Sequence, residues 1–194
     1  MATWESASAS SGGEHEQVVR DRHLISLLVK NRPGLLAQVA NLFSARGYNI
    51  DSLSVAETEE PKYSRMTVAV RGEPSVIEAM KKGLARFVDV AKVLDFTGIE
   101  HVERDLAMIK VATPAGSRQE IFQLVEVFQG KVVDIGAKDC IVEIVGPAAK
   151  VDAFVNIIRP FGIKELARSG RLAMARGPKM EGIAKKVFVA GGEK

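Results

Sequence analysis

Apolar positions along the chain alternate between strand and helix spacing. Leu24–Lys30 is an apolar run of strand length, stopped by the turn Asn31-Arg32-Pro33-Gly34. Leu35, Leu36, Val39, Ala40, Leu42 and Phe43 then recur at helical spacing. Gly47 sits where a helix C-terminus wants a residue with positive φ. Tyr48–Val55 and Ser64–Arg71 read as strands joined by an acidic loop containing Pro61. Pro74 opens a second helix as a first-turn proline, with an apolar stripe of Val76, Ile77, Met80, Leu84 and Phe87. Val88–Phe96 alternates as a closing strand. The order β-α-β-β-α-β is the split ferredoxin-like unit.

The second half repeats this order. Leu106–Thr113 reads as a strand, and Ile121, Leu124, Val125 and Phe128 as a helical stripe. Gly130 and Asp134 match Gly47 and Asp51 at a common offset of 83 residues. Pro147 matches Pro74 at an offset of 73, and Phe161, Ile163 and Leu166 match Val88, Val90 and Val93 at the same offset. The difference between the offsets implies a shorter hairpin in the second copy. Val151, Phe154, Val155 and Ile158 supply the last helical stripe. The chain is therefore read as α+β, two tandem ferredoxin-like βαββαβ units. The division is a tail over 1–21, a first domain over 22–98, a second over 99–177 and a tail over 178–194, with the linker near Gly98–Arg104. Either unit alone is small, so mutual packing or dimerisation is expected.

The first strand points the same way. Ile25, Leu27 and Val29 share one face and Leu24 and Leu28 the other. One face goes under the helices, and an apolar second face or an open edge needs cover from another domain or subunit.

Composition narrows the function classes. Lys and Arg number 27 against 24 Asp and Glu, a formal charge of +3, with both signs interspersed. That argues against a strong nucleic-acid field. No apolar run approaches the ~20 residues of a membrane span. The one locally basic stretch, Arg168, Arg171, Arg176, Lys179, Lys185 and Lys186, reads as a solvated end. The single cysteine, Cys140, lies in a strand-like run and reads as a buried structural thiol in a reducing, cytoplasmic compartment. Residues 1–20 carry no apolar h-region and read as a disordered tail, not a targeting signal.

Two places carry chemistry. A helix starting at about Gly34 leaves its first amides unpaired at the positive end of the dipole, which suits a carboxylate. Gly34 lets a ligand approach the backbone, Pro33 stiffens the turn, and Asn31 offers both a carbonyl and an amide. Together they suit a free amino acid, the ammonium on Asn31 and the carboxylate on the amides. Charge-assisted bonds of roughly 1.5–3 kcal/mol each are compatible with micromolar affinity. On residue types alone, the same turn is equally an ordinary β-α connection with Asn31 capping the helix. Asn49, in Tyr48-Asn49-Ile50-Asp51, is the second candidate, and it too reads equally as a cap after Gly47. No catalytic set stands out. His15, His23 and His101 are scattered, with His101 read as linker polarity. No spacing suggests a metal, and no phosphate or dinucleotide loop matches.

These residues also carry a resemblance. Asn31-x-x-Gly34 followed by Leu35-Leu36 resembles the ligand turn of ACT domains. Leu42-Phe-Ser-Ala-Arg-Gly-Tyr-Asn-Ile-Asp-Ser-Leu53 and Ser64-Arg-Met-Thr67 resemble the regulatory (small) subunit of acetohydroxyacid synthase, also called acetolactate synthase. His101-Val-Glu-Arg104 and Ala167-Arg-Ser-Gly170 match the same family in the second half, so the likeness covers roughly residues 22–177.

The resemblance implies a first unit that is an ACT domain and a chain with no catalysis and no cofactor of its own. Its partner would be a larger catalytic subunit holding thiamine diphosphate, magnesium and FAD. That subunit makes acetolactate at the first shared step of valine, leucine and isoleucine synthesis. The small subunit would raise that activity and confer allosteric feedback inhibition by valine, with no role for nucleic acid or membrane. Two chains would pair through their ACT domains as a homodimer. Valine would bind between them, on Asn31, Gly34, Leu35 and Leu36 of one chain and Asn49 and Ile50 of the other. Pro33 departs from members that carry Ser there, which spares backbone contacts and removes a side-chain one. Competing readings are an ACT regulator of another pathway, an RNA-binding ferredoxin-like module and a stand-alone enzyme. The second is disfavoured because strands 1 and 3 carry aliphatic residues and Thr where stacking aromatics would sit.

Overall fold

A computed structural model describes residues 22–177. The expectations for the two tails lie outside the described residues, as do Lys179, Lys185 and Lys186. The first unit comprises β1 (Arg22–Lys30), α1 (Leu35–Ala45), β2 (Ile50–Glu57), β3 (Tyr63–Arg71), α2 (Pro74–Leu84) and β4 (Val90–Asp95). Its sheet has the order β2-β3-β1-β4, antiparallel between neighbours. The second unit comprises β5 (His101–Ala112), α3 (Arg118–Val127), β6 (Lys131–Ile135), β7 (Asp139–Gly146), α4 (Ala148–Ile158), a single 3-10 turn (Arg159–Phe161), β8 (Ile163–Arg168) and β9 (Leu172–Ala175). Its sheet runs β6-β7-β5-β8, with β9 paired to the start of β5. Both units are βαββαβ, the α+β architecture read from the sequence.

Each unit has its own core, and the periodicity explains it. Ile25, Leu27 and Val29 alternate inward on β1 and pack with Leu35, Val39 and Phe43 of α1 and Ile77, Met80 and Leu84 of α2. Ala107, Ile109 and Val111 do the same on β5 beneath Ile121, Val125, Val151, Phe154 and Ile158. Burying a side chain of this size contributes roughly 1.5–3 kcal/mol. Cys140 lies in this second core, and burial pushes its thiol up, against the pull of the Arg118 charge.

The expected cover for the outer face of the first sheet comes from within the chain. Leu24, Ala69, Leu94 and Phe96 pack against Ala173 of β9, with Ile99 and Ala175 alongside. Ser26 and Thr67, directly opposite one another on that face, are buried too.

Several boundaries differ from the sequence reading. Residues His101–Arg104 are not a linker but the first four positions of β5, paired with Leu172–Ala175. The His101 ring lies tilted against Phe96 at 4.9 Å between ring centroids, and its Nδ1 lies 2.6 Å from the Ile99 carbonyl oxygen. β2 starts at Ile50 and β4 at Val90, and Val88 is 80% exposed ahead of it. Phe161 belongs to the 3-10 turn, not to the last strand of the repeat.

The match of Gly130 to Gly47 holds in sequence but not in backbone conformation. Gly47 has φ +67°, whereas after α3 the positive φ is taken by Gln129, at 52°. Gly130 is required for a different reason: a Cβ there would lie 2.9 Å from the Glu143 carbonyl oxygen.

Candidate functional site

The Asn31–Gly34 turn lies where β1 passes into α1. Gly34 stands at the helix N-cap with φ +82°, and no side chain caps the helix. The Gln38 N–H donates to the Gly34 carbonyl at 3.1 Å. The amides of Leu35, Leu36 and Ala37 therefore lie ahead of the hydrogen-bonded ladder and carry the positive end of the dipole. A Cβ at Gly34 would meet nothing within 4 Å, so the backbone there is open to an approaching group. Arg32 braces the turn from outside, donating through Nε to Asp89 Oδ2 at 2.6 Å. That contact holds the Asp89 carboxyl below its ordinary range.

Asn31 does not cap α1. Its Nδ2 donates to Glu57 Oε1 at 2.8 Å and to the Pro61 carbonyl at 3.2 Å. Its amide N–H donates to the Lys62 carbonyl at 2.7 Å. The side-chain amide is thus fixed by the β2–β3 hairpin, and Oδ1 has no donor among the described residues. Sequence reasoning missed Glu57, because nothing local signals that a residue at the far end of the next strand returns to this turn. A carboxylate and an amide oxygen beside unpaired helix amides can hold a molecule with an ammonium at one end and a carboxylate at the other.

The Leu35 and Leu36 side chains divide. Leu35 is 1% exposed and belongs to the core, so only its amide is presented to the turn, whereas Leu36 is 43% exposed on the helix surface. Asn49 and Ile50 lie at the opposite end of the sheet. Asn49 is exposed just before β2, with its Nδ2 at 3.4 Å from Asp51 Oδ1. β2 runs from Ile50 to Glu57, and at about 3.3 Å per residue its ends are more than 20 Å apart. One chain brings Asn31, Gly34 and the helix amides together, and it does not bring Asn49 or Ile50 to them.

Asn49 and Ile50 instead line a cleft of about 510 Å³ between the two units, with Arg22, Asp51, Ser52, Leu53 and Arg71 on one side and Asp105, Asp152 and Arg168–Arg171 on the other. Arg168 is no solvated end. Its Nε donates to Asp105 Oδ2 at 2.9 Å, its Nη2 reaches the same oxygen, and its Nη1 donates to Asp152 Oδ1 at 2.7 Å. Asp105 is 2% exposed, so the guanidinium neutralises a buried carboxylate. Arg171 lies 3.8 Å from Glu103, and Glu103 also accepts from the Ala148 N–H at the start of α4.

Two family models match the chain, one over each unit. Residues 25–92 match the family described as "AHAS small subunit-like ACT domain", and residues 104–177 match the one described as "Small subunit of acetolactate synthase". The acetolactate synthase small subunit of Aquifex aeolicus is 46% identical over 156 residues, which cover 80% of this chain and 81% of the relative. A probable acetolactate synthase small subunit of Methanothermobacter thermautotrophicus is 46% identical over 158 residues, covering 81% and 94%. The crystal structure of the acetolactate synthase small subunit from Thermotoga maritima superposes with a TM-score of 0.74 at 42% identity, covering 81% of this chain and 98% of that one. With an ACT-type unit in front and the small-subunit unit behind, the chain belongs to the family of acetolactate synthase small subunits.

Proposed function

We propose that this chain activates the acetolactate synthase catalytic subunit and makes it sensitive to valine. The observation that carries the reading is the turn itself. Unpaired amides at Leu35–Ala37 sit beside an Asn31 whose Nδ2 is already occupied, which leaves Oδ1 and the neighbouring Glu57 for an ammonium. Exposed Leu36 offers an aliphatic contact.

The rest of the site comes from a second copy. β2 is an edge strand. Two β2 edges paired antiparallel about a two-fold axis bring the Asn49–Ile50 end of one chain to the Glu57–Asn31 end of the other. Valine would then bridge two chains. The catalytic chemistry, with thiamine diphosphate, magnesium and FAD, resides on the partner enzyme in this reading. Valine shifts the complex toward a less active arrangement only by its differential affinity for the two states.

The test is reconstitution. Adding this chain to the catalytic subunit should raise acetolactate formation several-fold, and valine should reverse that more effectively than leucine or isoleucine. The chain alone should form no acetolactate from pyruvate. Unchanged activity on mixing would overturn the reading.

A further inference from the structure

The β8–β9 turn lies directly on the strand that carries Asn49 and Ile50. Gly170 has φ +79°, and a Cβ there would stand 3.4 Å from the Leu53 carbonyl oxygen and 3.5 Å from Ser52 Cβ. The turn is therefore in backbone contact with β2, at the end where the register with β3 shifts between Ile50 and Ser52. A side chain at 170 is opposed by the positive φ, and its Cβ would make ordinary van der Waals contact with β2.

The two sides of this contact are held differently. On the second-unit side the turn is fixed. Ser169 N–H donates to the Leu106 carbonyl at 3.0 Å, and Ser169 Oγ accepts from the Leu106 N–H at 3.2 Å. Arg168 ties the same turn to Asp105 on β5 and Asp152 on α4. On the first-unit side, no hydrogen bond among the described residues joins the turn to β2, and Ser52 Oγ is buried there without a partner. Asp51, at the register shift, is held by Arg71 Nε at 2.7 Å, from the first unit's own β3. A displacement at the start of β2 thus meets a surface rigidly coupled to β5 and α4.

We infer that the Arg168–Gly170 turn is the contact through which ligand occupancy at Asn49–Ile50 reaches the second unit. This rests on the proposed effector site and adds how that site is read. Ser169 and Gly170 line the cleft beside Asn49 and Ile50 but are not among the proposed valine contacts, so changing them should separate binding from response. A conformational pathway needs demonstrated coupling, and linkage supplies the readout. If valine and the catalytic subunit are coupled through the turn, the subunit changes valine affinity in the wild type and ceases to do so when the turn is altered.

The experiment measures valine affinity by titration calorimetry, for the full-length chain alone and in complex with the catalytic subunit, together with valine inhibition. For Gly170→Ala, the chain alone should bind valine within about threefold of wild type, since both composite half-sites are intact. The affinity difference between free chain and complex should vanish, and the inhibition midpoint should rise at least tenfold. Ser169→Ala, which removes the acceptor for the Leu106 N–H and the donor to the Gly170 carbonyl and adds no bulk, should give the same pattern more weakly and covers the case in which Gly170→Ala does not fold. Wild-type coupling and inhibition in the folded variants would overturn the inference. A wild-type chain that binds no valine would instead remove the effector site, and the relay with it.

Discussion

At the scale of single residues, Gly34 decides whether the proposed site can take a carboxylate. The N-cap carries no side chain and leaves a clear approach to three helix amides. In the proposed site, Gly34→Asp sets a carboxylate where the effector's own would sit. Losing one or two charge-assisted bonds, roughly 1.5–3 kcal/mol each, converts to a tenfold or greater loss of affinity. Valine inhibition should therefore shift upward by at least tenfold while activation of the catalytic subunit persists. Gly34→Ala carries the same positive-φ strain without the charge and should retain more of the inhibition. Inhibition of Gly34→Asp at wild-type valine concentrations would remove the ligand from this turn. Asn31 shows how much of such a site can be read from residue types. The asparagine and the glycine were legible as a cradle, but so was a helix cap. The contacts to Glu57 and Pro61 that decide against capping come from a hairpin tip about thirty positions away.

At the scale of elements, strands and helices with strong periodicity were legible because each buries one face against its own unit. The exceptions are elements whose partners are remote. His101–Arg104 has one apolar residue, Val102, and follows a glycine turn at Gly98, and its pairing partner, Leu172–Ala175, is four residues long and some seventy positions away. Neither segment specifies a strand alone; together they form the ribbon that covers the first sheet. Gln129 is a similar case, since the repeat pointed to a glycine one residue later. The join between α2 and β4 also sets a pH response. Burial by itself would push the Asp95 carboxyl up. Hydrogen bonds from the Thr97 amide and hydroxyl and from the Lys81 ammonium outweigh that and hold it below its ordinary 3.8. Burial would lower Lys81, but Glu78 and Asp95 together hold it above 10.5. A depressed carboxylate contributes stability above its unfolded pKa, and that contribution is lost as pH falls through the folded value. Urea unfolding between pH 6 and 3 should show wild-type stability dropping below about pH 4. Asp95→Asn should be less stable near neutrality and flatter in that window, and parallel pH profiles would contradict the assignment.

At the scale of the whole molecule, the proposed effector site is shared between two chains. Within one chain, the length of β2 separates Asn49 from Asn31, and the edge position of that strand is what allows a second copy to close the distance. The same strand lies against Gly170, so the proposed shared site and the second unit are adjacent. The most direct test mixes two damaged chains. Homodimers of Gly34→Asp and homodimers of Asn49→Ala each lack an intact site. In the mixed dimer, one site combines both lesions, while the other takes its turn from the Asn49→Ala chain and its Asn49 from the Gly34→Asp chain, and is fully wild type. Calorimetric titration of the mixed dimer should show valine binding with near wild-type affinity at one site per dimer. Binding in the mixed dimer no tighter than in the two parent variants would contradict a site shared between chains.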